Sequence, residues 1–165
     1  PDNASFKLLD LPKLQVPGKI AFVDMSINHN SGLSGNNFYW LSGKMDKMDW
    51  DQYFWFYTPQ KQFADFNALN HLPKVNLEAG VEYKDTRNEQ IVEVTLKNPT
   101  DHIAFFVELK LVRAADEQPL WPVYWDDNYV SVLPGSSVVV KARYTTTEAA
   151  AVKIQGINLT EKMKL

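Results

Sequence analysis

Acidic residues that stand close together are the first candidates for chemistry in this chain. Asp126 and Asp127 are adjacent, and a looser group comprises Asp46, Asp49 and Asp51. Two carboxylates can cleave a glycosidic bond when they lie roughly 5–9.5 Å apart around it. Adjacent residues of a strand point to opposite faces, however, and acids in turns usually bind local backbone amides. The sequence therefore predicts structural turns at these positions rather than catalytic acids.

The histidines do not form a ligand set. His29, His71 and His102 lie far apart, and a metal site needs three or four converging ligands. Glycine-rich phosphate loops, the Gly-X-Ser-X-Gly turn and the His-Glu-X-X-His helix have no counterpart in the chain. The sequence therefore predicts no catalytic residue, no metal and no cofactor.

The tryptophans are the third candidate group, because flat aromatic faces can stack on sugar rings. Exposed faces would indicate a carbohydrate-binding module. Buried faces would indicate core or interdomain packing, which is favoured because tryptophan buries a large area. The five tryptophans are Trp40, Trp50, Trp55, Trp121 and Trp125.

Residues 74–158 alternate with period two, which predicts strands with one buried face. The first inward face is marked by Val75, Leu77, Ala79, Val81 and Tyr83. Further strands are expected around 92–96, 105–111, 120–124, 129–133, 138–144 and 152–157. Turn sequences separate them at 98–101, 126–128 and 134–136. About seven short strands at this spacing predict an all-β, immunoglobulin-like sandwich.

The residues before the sandwich are less regular. Residues 19–27 and 36–41 predict a hairpin around the turn at 30–32, and two or three strands cannot form a domain alone. We therefore expect residues 1–44 to be the closing strands of a preceding immunoglobulin-like domain. The aromatic-rich residues 45–73 are expected to form a connector packed on the sandwich, and residues 74–165 to form the sandwich itself.

Composition narrows the possible partners. Twenty acidic and seventeen basic side chains give a net charge of −3, without a run of like charge, so nucleic acid and membrane are not expected partners. No apolar stretch approaches the roughly 20 residues that span a bilayer. Because the chain starts at Pro1 and no leader follows, we expect a piece of a longer polypeptide.

An ordered series of short runs resembles the C-terminal region of glycoside hydrolase family 2 enzymes. Within that family it is most similar to the exo-β-D-glucosaminidase and β-mannosidase branch. The runs are 37–42 (NFYWLS), 49–50 (DW), 55–60 (WFYTPQ), 63–66 (FADF), 69–70 (LN), 72–73 (LP), 94–98 (VTLKN), 122–129 (PVYWDDNY) and 133–135 (LPG). They keep the family's order and spacing over about residues 20–158.

The resemblance implies a large, bacterial, exo-acting hydrolase that is periplasmic or secreted. Its two catalytic glutamates would lie on a (β/α)₈ barrel, which needs some 200 or more residues of its own. No catalytic residue therefore transfers to this chain. The expected partner is the catalytic barrel of the same polypeptide, with an oligosaccharide as a second expected partner.

Three functions remain open at this point. The first is an accessory domain that braces the barrel and whose loops reach the rim of the cleft; the residues expected there are Trp125, Asp126, Asp127 and Asn128. The second is a carbohydrate-binding module that uses Trp50, Trp55 or Trp121 as a platform. The third is a protein-interaction sandwich with an exposed edge strand.

Overall fold

The first regular element is a hairpin of two antiparallel strands, β1 (Ile20–Asn28) and β2 (Ser34–Ser42), paired from Ile20 opposite Ser42 to Asn28 opposite Ser34. The computed structural model describes residues 5, 7, 10, 18–28, 30, 34–87, 89–146 and 148–165. His29 and the predicted turn residues Ser31 and Gly32 lie outside these described residues. The predicted hairpin itself is confirmed.

Short elements follow the hairpin in the aromatic-rich segment. Strands β3 (Lys47–Met48) and β4 (Gln60–Gln62) pair antiparallel, and 3₁₀ helices span Trp50–Gln52 and Asn67–His71. Ser42 joins this segment to β2, because its Oγ donates to the Asp65 carbonyl oxygen at 2.7 Å and accepts from the Asp65 amide at 3.2 Å. Residues Pro1–His71 accordingly form one compact unit and Leu72–Leu165 a second. Packing of residues 45–73 on the sandwich stays a prediction.

The second unit contains two four-stranded sheets. One has the strand order β5-β6-β10-β8 and the other the order β12-β11-β7-β9. Their strands are β5 (Glu78–Asp85), β6 (Gln90–Lys97), β7 (Ala104–Arg113), β8 (Val123–Trp125), β9 (Val130–Val132), β10 (Ser137–Tyr144), β11 (Ala150–Gln155) and β12 (Met163–Lys164). Alternate residues of both sheets form one buried cluster, which includes Val94, Leu109, Val140 and Ile154. The predicted immunoglobulin-like sandwich is therefore confirmed.

Three details of the strand prediction were wrong. Tyr83 was expected on the inward face but is 45% exposed, because it lies near the end of the edge strand β5. The strand expected at 120–124 is displaced to Val123–Trp125, because Pro122 has no amide hydrogen for a sheet ladder. The short strand β12 was not predicted.

Two buried asparagines fix the loops at one end of the sandwich. Asn98 donates to the carbonyl oxygens of His102 and Val132 at 2.7 and 2.9 Å, while its Oδ1 accepts from Thr100. Asn158 donates to the carbonyl oxygens of Pro73 and Ile103 at 2.7 and 2.8 Å and accepts from the Phe105 amide at 2.8 Å. These side chains supply hydrogen bonds that buried backbone groups would otherwise lack.

Candidate functional site

Two of the candidate tryptophans lie at strand β8: Trp121 precedes the strand and Trp125 is its last residue. Trp121 is 80% exposed on the loop before the strand. Trp125 ends the strand opposite Ala142 of β10 and packs in part against the core. The sandwich therefore fixes Trp125, while Trp121 offers open aromatic surface.

Asn128 holds the following turn against strand β7. Its Oδ1 accepts from the Leu109 amide at 2.8 Å, and its Nδ2 donates to the Leu109 carbonyl oxygen at 2.9 Å. The same Oδ1 accepts from the Tyr129 amide at 2.8 Å. The Asn128 side chain thus uses its hydrogen-bonding capacity within the protein and positions Tyr129.

Asp126 and Asp127 both accept hydrogen bonds from backbone amides, Asp127 from the next residue of the turn and Asp126 from strand β10. Asp126 Oδ1 accepts from the Lys141 amide at 2.8 Å, and Asp127 Oδ1 accepts from the Asn128 amide at 2.7 Å. Asp126 also lines a separate surface depression of about 280 Å³, together with Tyr124. Asp127 does not line this depression.

A surface groove brings the tryptophans together with residues of β7. It has a volume of about 250 Å³ and opens along the edge of that strand. Its lining comprises Glu108, Leu109, Lys110, Leu111, Pro119, Leu120, Trp121, Val123, Trp125, Asn128 and Tyr129. The groove combines aromatic and aliphatic walls with a few polar side chains, which is the usual composition of a small-molecule site.

Glu108 is the centre of the polar groups in this groove. The residue is only 9% exposed, and its Oε1 accepts from the Tyr129 hydroxyl at 2.7 Å and from Lys110 Nζ at 2.9 Å. Its Oε2 accepts from Gln155 Nε2. A carboxylate has about four acceptor positions, so three partners leave room for one more.

These contacts decide the charge of Glu108. Burial raises the pKa of its carboxyl group, but the bonds from Tyr129, Lys110 and Gln155 outweigh burial and hold that pKa below its ordinary value. The bond to Glu108 in turn raises the pKa of the Tyr129 hydroxyl and of the Lys110 ammonium. At neutral pH the groove therefore contains an anion, a protonated phenol and a cation.

Trp50 and Trp55 belong to the other compact unit and are 69% and 79% exposed. Trp50 begins a 3₁₀ helix capped by Asp49, whose Oδ1 accepts from the Asp51 and Gln52 amides. Trp55 contacts Phe56 edge to face, with ring centroids 5.2 Å apart. Both tryptophans expose aromatic surface, and neither lines the groove described above.

Of the residues that line the groove, the sequence analysis named Trp121, Trp125 and Asn128 as candidates and did not name Glu108, Lys110 or Tyr129. Glu108 and Lys110 occupy the outward positions of a strand whose alternate residues are apolar, where charged side chains are ordinary. The contact between Tyr129 and Glu108 joins residues 21 positions apart and depends on the tertiary fold. The sequence signal that could have indicated this site is Glu108, an acidic residue between the apolar residues Val107 and Leu109 of a predicted strand.

Metal-binding geometry is lacking in the part of the chain that the structure describes. No group of three or more His, Cys, Asp or Glu side chains there could hold an ion. Within the same residues, no helix has the length and apolar character needed to cross a membrane.

Comparison with known families decides the affiliation of the chain. Residues 55–159 match the model of the exo-β-D-glucosaminidase Ig-fold domain. The chain belongs to this family. The match begins inside the aromatic segment, so the exo-β-D-glucosaminidase Ig-fold domain includes Trp55 and the groove. The predicted resemblance to the exo-β-D-glucosaminidase branch is thereby confirmed.

Proteins similar to this chain include two that are named exo-β-D-glucosaminidase. An exo-β-D-glucosaminidase of Amycolatopsis orientalis is 38% identical over 134 residues, which are 74% of this chain and 12% of that protein. An exo-β-D-glucosaminidase of Arthroderma benhamiae is 28% identical over 160 residues, which are 96% of this chain and 18% of that protein. The chain therefore spans less than a fifth of either relative.

A solved structure is also similar. The crystal structure of the Amycolatopsis orientalis exo-chitosanase CsxA matches with a TM-score of 0.79 and 34% identity, over 87% of this chain and 18% of that chain. A point-substituted variant of the same exo-chitosanase has also been solved in complex with PNP-β-D-glucosamine. Both the sequence and the fold of this Ig-fold domain thus resemble a small part of a much larger enzyme.

Proposed function

We propose that this chain is a non-catalytic accessory region of an exo-β-D-glucosaminidase and that its sandwich braces the catalytic barrel of the same polypeptide. The observation that carries this proposal is the match of residues 55–159 to the exo-β-D-glucosaminidase Ig-fold domain. The relatives extend far beyond the matched region, which is 18% of one of them. That length leaves ample room for a barrel of about 250 residues.

The geometry of the acids supports a non-catalytic role. Glu108, the most buried carboxylate described, is already bound by an ammonium, a phenol and an amide. Asp126 and Asp127 accept hydrogen bonds from backbone amides within the sandwich. Glycoside hydrolysis requires instead two carboxyl groups facing a common space.

A comparison of the 165-residue chain with the complete polypeptide tests this function. Both are incubated with a p-nitrophenyl β-D-glucosaminide and with glucosamine oligomers, and product release is measured. We expect hydrolysis by the complete polypeptide and none by the 165-residue chain. Hydrolysis by the chain alone would refute the accessory role, and an inactive complete polypeptide would refute the glucosaminidase assignment.

Binding of carbohydrate is the second candidate function. It is favoured by the exposure of Trp50, Trp55 and Trp121, since large exposed aromatic surfaces in a folded protein often mark interaction sites. Calorimetry of the chain with chitosan and mannan oligosaccharides measures it directly. Absence of both heat and a change in tryptophan fluorescence would exclude this function.

A further inference from the structure

The groove lies beside β7, at the point where strand β9 stops pairing with the edge of β7 and other groups bind that edge instead. Strand β9 pairs with β7 at Ala104 and Val107. Beyond that point, the Asn128 side chain pairs with Leu109, and the Leu120 amide donates to the Leu111 carbonyl oxygen at 3.2 Å. The strand edge is therefore met by a side chain and a loop, and the space between them is the groove.

We propose that this groove binds one glucosamine unit of an oligosaccharide, with Trp121 stacking on the sugar ring and Glu108 receiving its ammonium group. The choice of an amino sugar rests on the proposed function. The site itself rests on the groove, the exposed indole and the buried carboxylate. Such a site would let the sandwich hold substrate in addition to bracing the catalytic barrel.

The size and walls of the groove fit a single sugar ring. Its volume of about 250 Å³ lies just under the roughly 300–1,000 Å³ typical of drug-sized ligands. The face of a sugar ring carries C–H groups, which match the open aromatic surface of Trp121, and its edge carries polar groups. The Tyr129 hydroxyl and the Glu108 carboxylate supply fixed polar partners at the same groove.

The charges in the groove favour an ammonium-bearing ring. Lys110 Nζ already lies 2.9 Å from Glu108 Oε1, so the carboxylate accepts an ammonium group from the solvent side. The Lys110 side chain is 55% exposed, whereas that of Glu108 is only 11% exposed, so the lysine is the partner of this pair that solvent reaches. A ligand ammonium can therefore replace that of Lys110.

Titration calorimetry of the 165-residue chain with a glucosamine tetramer tests the site, with the N-acetylated tetramer as the uncharged comparison. We expect binding of the glucosamine tetramer and at least tenfold weaker binding of the N-acetylated tetramer. Trp121→Ala is expected to weaken binding at least tenfold. Tyr124→Ala is the matched control, because Tyr124 is 62% exposed on β8 but does not line the groove.

Two charge variants test the role of Glu108. Glu108→Gln is expected to remove the preference for the glucosamine tetramer, whereas Lys110→Ala is expected to preserve or increase affinity because it removes the competing ammonium. Circular dichroism verifies that each variant is folded. If Glu108→Gln does not fold, Tyr129→Phe replaces it and is expected to weaken binding of both tetramers.

Several results would overturn the proposal. They are absence of binding to the wild-type chain, loss of binding in Tyr124→Ala but not in Trp121→Ala, and equal affinity for both tetramers. Loss of binding in Trp55→Ala with Trp121→Ala unaffected would place the platform in the other compact unit and would also overturn it. Hydrolysis by the complete polypeptide without binding by the chain refutes only this site, whereas binding without hydrolysis refutes only the proposed function.

Discussion

The side-chain amide of Asn128 pairs with the main chain of Leu109 in the manner of a neighbouring strand. It accepts from the Leu109 amide at 2.8 Å and donates to the Leu109 carbonyl oxygen at 2.9 Å. An asparagine side chain carries the same donor and acceptor as a peptide group. The sequence Asp126-Asp127-Asn128 thus forms a turn whose last side chain completes the edge of β7.

Replacement of Asn128 by alanine is expected to destabilise the sandwich. It would leave the amide and the carbonyl of Leu109 without this partner, and each unsatisfied buried group costs about 1–3 kcal/mol. We expect a loss of about 2–4 kcal/mol in the free energy of unfolding, measured by urea denaturation. Asp127→Ala, which removes one contact in an exposed turn, is the control. Equal effects of the two substitutions would contradict this account of Asn128.

The charge of Glu108 predicts how stability depends on pH. Because the pKa of its carboxyl group is lower in the folded chain, the unfolded chain binds more protons through this titration. The contribution to stability is complete above the ordinary carboxyl pKa of about 4.3 and is lost as the pH falls through the folded value. We therefore expect the difference in unfolding free energy between the wild type and Glu108→Gln to shrink below about pH 4.3. Urea denaturation at a series of pH values measures it, and a difference that is constant with pH would contradict the prediction.

Two exposed glycines should respond to alanine in opposite directions. Gly135 has a φ of +67°, and an added Cβ would meet no atom within 4 Å, so the cost of Gly135→Ala is backbone strain of about 1–2 kcal/mol. Gly80 has equally open space but lies within β5 without a positive φ, so Gly80→Ala is expected to stabilise by about 0.5–1 kcal/mol. Thermal unfolding of both variants measures this. A shift of the same sign in both would show that backbone conformation is not the deciding difference.

Much of the sandwich was predictable because its signals are local. Alternation along β6, β7, β10 and β11 places one face in the core, and turn residues such as Gly135 separate the strands. The limits of the prediction also have physical causes. Pro122 displaced a strand start because it has no amide hydrogen, and Tyr83 is exposed because β5 lies at an edge.

The groove was less predictable than the fold because its parts converge only in three dimensions. Trp121 and Trp125 were recognisable as aromatic candidates by residue type alone. Glu108 and Tyr129 have no shared local pattern, yet their side chains meet at 2.7 Å. Sequence patterns report which face a residue occupies, whereas this contact depends on how the 126–129 turn folds back on β7.

The buried position of Asn158 has a consequence for covalent modification. Asn158, Leu159 and Thr160 form an Asn-X-Thr triplet, the acceptor sequence for N-linked glycans in secretory pathways that attach them. The Nδ2 atom that would carry the glycan instead donates to the carbonyl oxygens of Pro73 and Ile103, and the residue is 1% exposed. A glycan there would remove a donor and require space inside the packed domain. In a glycosylating host, occupancy of this triplet and folding of the sandwich are therefore mutually exclusive.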